Sequence, residues 1–182
     1  MNIPNTLTVF RIFLVPIFAI VFTLPVEWAN LAACMVFTLA ALTDLLDGFF
    51  ARKLKQTSKL GEFLDPVADK FMVTVVLVLL ITKNPGLIIA IPAAVIIGRE
   101  LTISALREWM AEIGARSKVA VSILGKIKTI TQMVALILLV YHDDFFNIPT
   151  YRLGLICLYI ATSLTLWSMF QYITTAWAKI RE

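Results

Sequence analysis

Charged side chains are scarce: Asp, Glu, Lys and Arg make up only 15% of the 182 residues, against about a quarter in soluble domains, and mean hydropathy is +0.89. An ordinary water-soluble domain is excluded. Histidine occurs once, as His142, and cysteine twice, as Cys34 and Cys157, both alone in apolar runs without metal-ligand spacing. The cysteines read as packing residues. His142 lies at the far end of the fifth apolar run, away from Asp44, Asp47, Asp65 and Asp69, and reads as interfacial. No repeat, low-complexity tract or linker interrupts the chain, so residues 1–182 are expected to form a single domain. A net charge of +4 is modest for a nucleic-acid binder, and no nucleic-acid partner is expected. There is no small-x-small cleavage site after Leu24, and Arg11 interrupts the first apolar run; that run is therefore expected to be a helix rather than a signal peptide.

What is abundant is apolar sequence in long stretches. A helix needs about 20 mostly apolar residues to cross a bilayer, and the runs between breakers predict helices over 4–24, 28–54, 61–82, 86–111, 119–141 and 149–179. The fold class expected is an all-α integral membrane protein with six transmembrane helices. Leu24-Pro25, Asn84-Pro85-Gly86 and Asn147-Ile148-Pro149 mark three turns on one side. Of the sixteen basic residues only Lys83 and Arg152 lie near those turns; the other fourteen gather at the opposite side, which the positive-inside rule assigns to the cytoplasm. Both termini are expected there, in a bacterial cytoplasmic membrane.

Against this background the segment from Asp44 to Asp69 stands apart. Carboxylates in or beside a spanning helix are costly and persist where they face a polar cavity, pair with a cation or bind a metal. Asp44 and Asp47 fall late in the second helix and Asp65 and Asp69 early in the third, at spacings of three and four that put each pair on one face. A short turn then folds one pair against the other, in a polar cavity opening to the cytoplasm. Four converging carboxylates need cations, and oxygen ligands without His or Cys favour magnesium, manganese or calcium. Two divalent ions would suffice, and such a pair can clamp a phosphoryl group. Gly48, Ala51 and Gly61 keep the cleft open, and Arg52 can offer a planar fork to phosphate.

These residues read Asp44-x2-Asp47-Gly48-x2-Ala51-Arg52-x8-Gly61-x3-Asp65-x3-Asp69, which matches the signature of the CDP-alcohol phosphotransferase family at all eight positions. The resemblance implies a six-helix membrane enzyme, usually a homodimer, that moves a substituted phosphoryl group from a CDP-linked donor to an alcohol and releases CMP. It also implies that Asp44, Asp47 and Asp65 hold Mg2+ or Mn2+, and that Asp69 both binds metal and acts as the base.

The acceptor must be read elsewhere. Asn5, Thr8 and Arg11 recur every three residues along one face of the first helix, where they could close the nucleotide side of the cavity. Alternatively Asn5 and Thr8 cap the helix while Arg11 snorkels. Arg99, Arg107, Lys126 and Lys128, with Arg11, form an excess of cations near the cavity, as an acceptor carrying its own phosphate would require. Arg99 and Glu100 can instead pair with neighbours, and Arg107 with Glu108 can mark a membrane exit. The opening segment through Arg11, the Gly98-to-Glu108 segment and Val119 to Met133 resemble bacterial family members that take CDP-diacylglycerol as donor and sn-glycerol 3-phosphate as acceptor. That implies phosphatidylglycerophosphate and CMP as products. Serine, inositol phosphate or phosphatidylglycerol stay open as acceptors. A small divalent-cation transporter is a further alternative, although no second acidic cluster lies deeper in the membrane to form a path.

Overall fold

A computed structural model describes residues 3–54, 59–112 and 123–180. The side chains of Asp47, Gly48, Ala51, Arg52, Asp65 and Lys126 lie outside the described part, although the backbone at each is helical. Among the described residues there are six helices and no strand: α1 Ile3–Thr23, α2 Ala29–Leu54, α3 Lys59–Lys83, α4 Leu87–Glu112, α5 Ile123–Tyr141 and α6 Thr150–Ile180. The expected all-α architecture is borne out, with most boundaries within two residues of those expected; the start expected for the fifth helix, 119–122, falls outside the described residues. Three segments, Asn5–Thr23, Leu87–Met110 and Thr150–Thr174, are long and apolar enough to cross a membrane by length and composition. Charged site residues lie on these segments as well as on the other helices: Arg11 is in the first, and Arg99, Glu100 and Arg107 are in the second.

The helices form where apolar runs are uninterrupted and end where the chain supplies breakers. Prolines at 16, 66 and 92 sit inside α1, α3 and α4, as neighbouring helices permit in a membrane protein. Hydroxyls are satisfied within their own helices: Thr82, Thr102, Thr129, Thr162 and Thr165 each donate to the carbonyl four residues earlier. No hydroxyl in this set therefore needs water or a neighbour.

Between α5 and α6 the chain turns sharply. His142, Phe146 and Asn147 have φ of 68°, 49° and 63°, and Phe145 and Ile148 exchange backbone hydrogen bonds of 3.1 and 2.9 Å. Thr150 Oγ1 donates to the Asp143 carbonyl at 2.6 Å and fastens the loop to the start of α6. His142 stacks edge-on against Tyr151, 4.8 Å between centroids, and lines a different cavity from Asp44 and Asp69.

A continuous apolar core runs through the bundle. Phe18 packs parallel to Phe22 at 5.4 Å and tilted to Phe37 at 6.2 Å, joining α1 to α2. Val76, Leu77, Leu80, Ile96, Leu136, Leu139 and Leu158 bring in α3 to α6. At the end of the bundle that holds the first loop, Lys83 Nζ donates to Asn30 Oδ1 at 2.6 Å and lies 4.4 Å above the Phe22 ring. One lysine thereby ties together the ends of α1, α2 and α3.

α5 and α6 approach each other closely at Gly154. A Cβ added at Gly154 would lie 2.9 Å from Leu139 Cγ and 3.1 Å from Leu138 Cβ. Small residues let helices meet closely where lipid provides no hydrophobic drive to association. Gly154→Ala is accordingly expected to destabilise the protein by about 1–3 kcal/mol, as overpacking does in close-packed cores. A thermal melt in detergent checks this, and an unchanged melting temperature would show that α6 can shift without cost.

Candidate active site

α1 contributes a polar face within the bundle. Asn5, Thr8 and Arg11 are all buried, with Thr8 fully enclosed and Arg11 only 2% exposed. The spacing of three that suggested a shared face corresponds to a face turned inward. Arg11 Nη1 meets Asp44 Oδ1 of α2 at 2.6 Å. A long cationic side chain in an apolar bundle needs a counter-charge, and the carboxylate provides it.

Asp44 opens on a small cavity whose other walls include Arg11, Phe37, Asp69 and Met72. Asp44 and Asp69, from different helices, thus face the same space and are close enough to interact electrostatically. Gly61, at the start of α3, is buried. Asp47 follows Asp44 by three residues on α2, and Asp65 precedes Asp69 by four on α3. Among the described residues no group of three potential ligands assembles; the side chains of Asp47 and Asp65 are not among them. The donors that are described suit a hard divalent cation: carboxylate oxygens from two helices, with neither His nor thiolate in the cavity wall.

Asp69, Val73 and Met133 also line a second, larger cavity of about 230 Å³. Its wall carries four cations, Lys70, Arg99, Arg107 and Lys128, and two carboxylates, Asp69 and Glu100. Three of the five cations singled out from sequence therefore meet here. Arg11 lies in the smaller cavity instead, and the Lys126 side chain is outside the described part.

The cations are braced by neighbours. Glu100 Oε1 accepts from Lys128 Nζ at 2.8 Å and from Arg99 Nη1 at 3.0 Å. Arg99 Nη2 donates to Ser168 Oγ of α6 at 3.3 Å. Arg107 lies 5.6 Å over the ring of Tyr172, also of α6. Lys70 hydrogen-bonds Ser104 of α4. The pairing with neighbours considered as an alternative to ligand binding does occur, Glu100 taking both Arg99 and Lys128. Arg99 nevertheless remains in the cavity wall.

Several of these residues escaped the sequence reading. Lys70, Gln132, Ser168 and Tyr172 were not singled out as site residues. Lys70 follows Asp69 directly and Gln132 lies one turn after Lys128, so both carried a positional signal. Ser168 and Tyr172 carried none, because α6 is apolar along most of its length.

Comparison with known proteins agrees with this geometry. The profile of the CDP-alcohol phosphatidyltransferase family matches residues 1–167. The chain belongs to this family. Similar curated proteins named CDP-diacylglycerol–glycerol-3-phosphate 3-phosphatidyltransferase include one from Sodalis glossinidius, 52% identical and aligned over 97% of this chain and 95% of the relative. One from Yersinia pestis is 50% identical over 100% and 98% of the two chains, and one from Pectobacterium atrosepticum is 53% identical over 96% and 94%. As a CDP-alcohol phosphatidyltransferase the chain is a membrane protein and an enzyme. The cation-transporter alternative falls with that membership.

Proposed function

We propose that this phosphatidyltransferase transfers a phosphatidyl group from CDP-diacylglycerol to sn-glycerol 3-phosphate, giving phosphatidylglycerophosphate and CMP. The carrying observation is the cavity beside Asp69 in which Arg99, Arg107 and Lys128 converge. A small anionic acceptor needs such a pocket, whereas serine, whose own charge is balanced, does not. The relatives named for the same reaction support the reading across nearly the whole chain.

Asp69 stands between the two cavities and takes the proton of the acceptor's primary hydroxyl. The hydroxyl oxygen forms a bond to the donor phosphorus that bears diacylglycerol. The phosphoanhydride bond breaks and CMP leaves. Asp44, Asp47, Asp65 and Asp69 would hold two divalent cations, Mg2+ or Mn2+, which when bound neutralise charge on the donor pyrophosphate. Gly48, Ala51, Arg52 and Gly61, with Asn5 and Thr8, form the donor side, and Lys126 joins the acceptor side. The protein works in the bacterial cytoplasmic membrane as a homodimer of six-span chains, with both termini and the cavity facing the cytoplasm, as the distribution of basic residues supports.

The test is CMP release by detergent-solubilised protein given CDP-diacylglycerol and Mg2+ or Mn2+. Glycerol 3-phosphate is compared with serine, inositol phosphate, phosphatidylglycerol and no acceptor. Release is expected only with glycerol 3-phosphate, and it should stop when the metal is chelated. Lys128→Ala should raise KM for the acceptor by about tenfold or more, the scale of a charge-assisted hydrogen bond, with a much smaller change for the donor. Release with another acceptor would overturn the pocket assignment, as would an equal rise in both KM values.

A further inference from the structure

A carboxylate is an unexpected wall for a phosphate pocket, since it repels the ligand that the surrounding cations attract. Glu100 nevertheless lines the cavity with Lys128, Arg99 and Arg107. Both of its described hydrogen bonds end on one oxygen, Oε1, which takes Lys128 Nζ and Arg99 Nη1 together. Among the described residues nothing donates to Oε2. The side chain is 26% exposed in a cavity wall otherwise set in the apolar bundle.

The set of groups lining the cavity suggests what the second oxygen is for. Asp69 lies within electrostatic range of Glu100, and both carboxylates line one cavity with the cations. Given the reaction proposed above, on which this step rests, the acceptor carries a reacting hydroxyl on the first carbon, a second hydroxyl on the middle carbon and a phosphate on the third. With the reacting hydroxyl at Asp69 and the phosphate at the cations, the acceptor has one hydrogen-bond donor left, the middle hydroxyl, and the described wall one carboxylate left, Glu100. An ionised carboxylate only accepts hydrogen bonds. It can take a hydroxyl proton, and it offers nothing to a phosphate oxygen.

We infer that Glu100 is the specificity residue for the acceptor's middle hydroxyl: Oε1 holds Arg99 and Lys128 side by side while Oε2 accepts from that hydroxyl. An acceptor lacking the group would leave a carboxylate oxygen desolvated without a donor, which sites built to bind a hydroxyl discriminate against strongly.

The experiment compares glycerol 3-phosphate with 1,3-propanediol monophosphate, which keeps the reacting hydroxyl and the phosphate and lacks only the middle hydroxyl. Direct binding by calorimetry and kcat/KM for CMP release are measured for wild type, Glu100→Met and Glu100→Gln. Methionine removes both oxygens at similar length. Glutamine leaves one oxygen for the cations and turns its amide N–H2 toward the hydroxyl. Wild type is expected to prefer glycerol 3-phosphate by about tenfold or more, and this preference should fall to near unity in Glu100→Met and at least severalfold in Glu100→Gln. Disturbance of Arg99 and Lys128 weakens both acceptors alike and cancels in the ratio, as in a double-mutant cycle. If Glu100→Met does not fold, the ratio in Glu100→Gln decides. A preference retained in the variants, absent in wild type, or lost through abolished binding of both compounds would overturn the assignment. Failure of the proposed function looks different: wild type would release CMP with neither compound.

Discussion

Asp69→Asn is expected to lower turnover by about a hundredfold or more while leaving the protein folded, the size of a lost general base. Asparagine keeps the shape and can still accept hydrogen bonds, so packing around Val73 and Met133, which share both cavity walls with Asp69, is preserved. What is lost is the negative charge and the site for the departing proton. Of the two aspartates whose side chains are described, Asp44 and Asp69, only Asp69 lines the cationic cavity as well as the small acidic one. The measurement is kcat at saturating donor and acceptor, repeated across a range of Mn2+ concentrations, beside a thermal melt. A base acts through the proton, so kcat should stay low however much metal is supplied. If turnover recovers at high Mn2+, Asp69 serves only as a ligand. Activity near wild type would remove it from both roles.

The sequence made the helices and the acidic motif legible because both are local signals. A run of apolar residues ended by Leu24-Pro25 or Asn84-Pro85-Gly86 needs no knowledge of its neighbours. The spacing of Asp44, Asp47, Asp65 and Asp69 is likewise contained in one short segment. Which side of each helix turns inward was harder to see. In a soluble helix the buried face is apolar and the other polar, whereas here both sides are apolar: Phe18 is fully buried while Phe13 and Ile20 are more than 60% exposed. Hydropathy cannot separate a core-facing phenylalanine from one turned outward.

The same limitation explains what was missed in the site. Arg99 and Arg107 were visible as cations in an apolar helix, but their braces on α6, Ser168 and Tyr172, are about seventy residues away in sequence. Arg11 and Asp44 were both singled out, though for different roles, and nothing in either segment announces that they touch. Pairings between helices are set by packing of the whole bundle. Polar residues in apolar helices therefore mark that a site exists more reliably than they mark which of them meet.

That meeting of Arg11 and Asp44 yields a second large expected effect. Arg11→Met should cost about 2 kcal/mol of stability or more. Methionine is long and unbranched enough to fill much of the space along α1, so the principal loss is the charge. Breaking a fully buried ion pair costs about 3–5 kcal/mol because the remaining charge is left uncompensated. An exposed pair is worth under about 1 kcal/mol. Arg11 is 2% exposed and Asp44 40%, which puts this pair between those limits. The Asp44 carboxylate would then share its small cavity with Asp69 without the guanidinium between charges of the same sign. Two comparisons isolate that cause in thermal melts. Adding Asp44→Asn to Arg11→Met should recover part of the loss, since it removes the stranded charge. Millimolar Mg2+ or Mn2+ should raise the melting temperature of Arg11→Met relative to chelator, because a cation bound only by the folded state stabilises it by about 2.7 kcal/mol at a hundred times its Kd. If Arg11→Met melts with wild type, the ion pair is not what holds α1 against α2. If the double variant melts no higher than Arg11→Met and divalent cations change nothing, the cavity tolerates its carboxylates without a cation, and the argument that these aspartates require one fails.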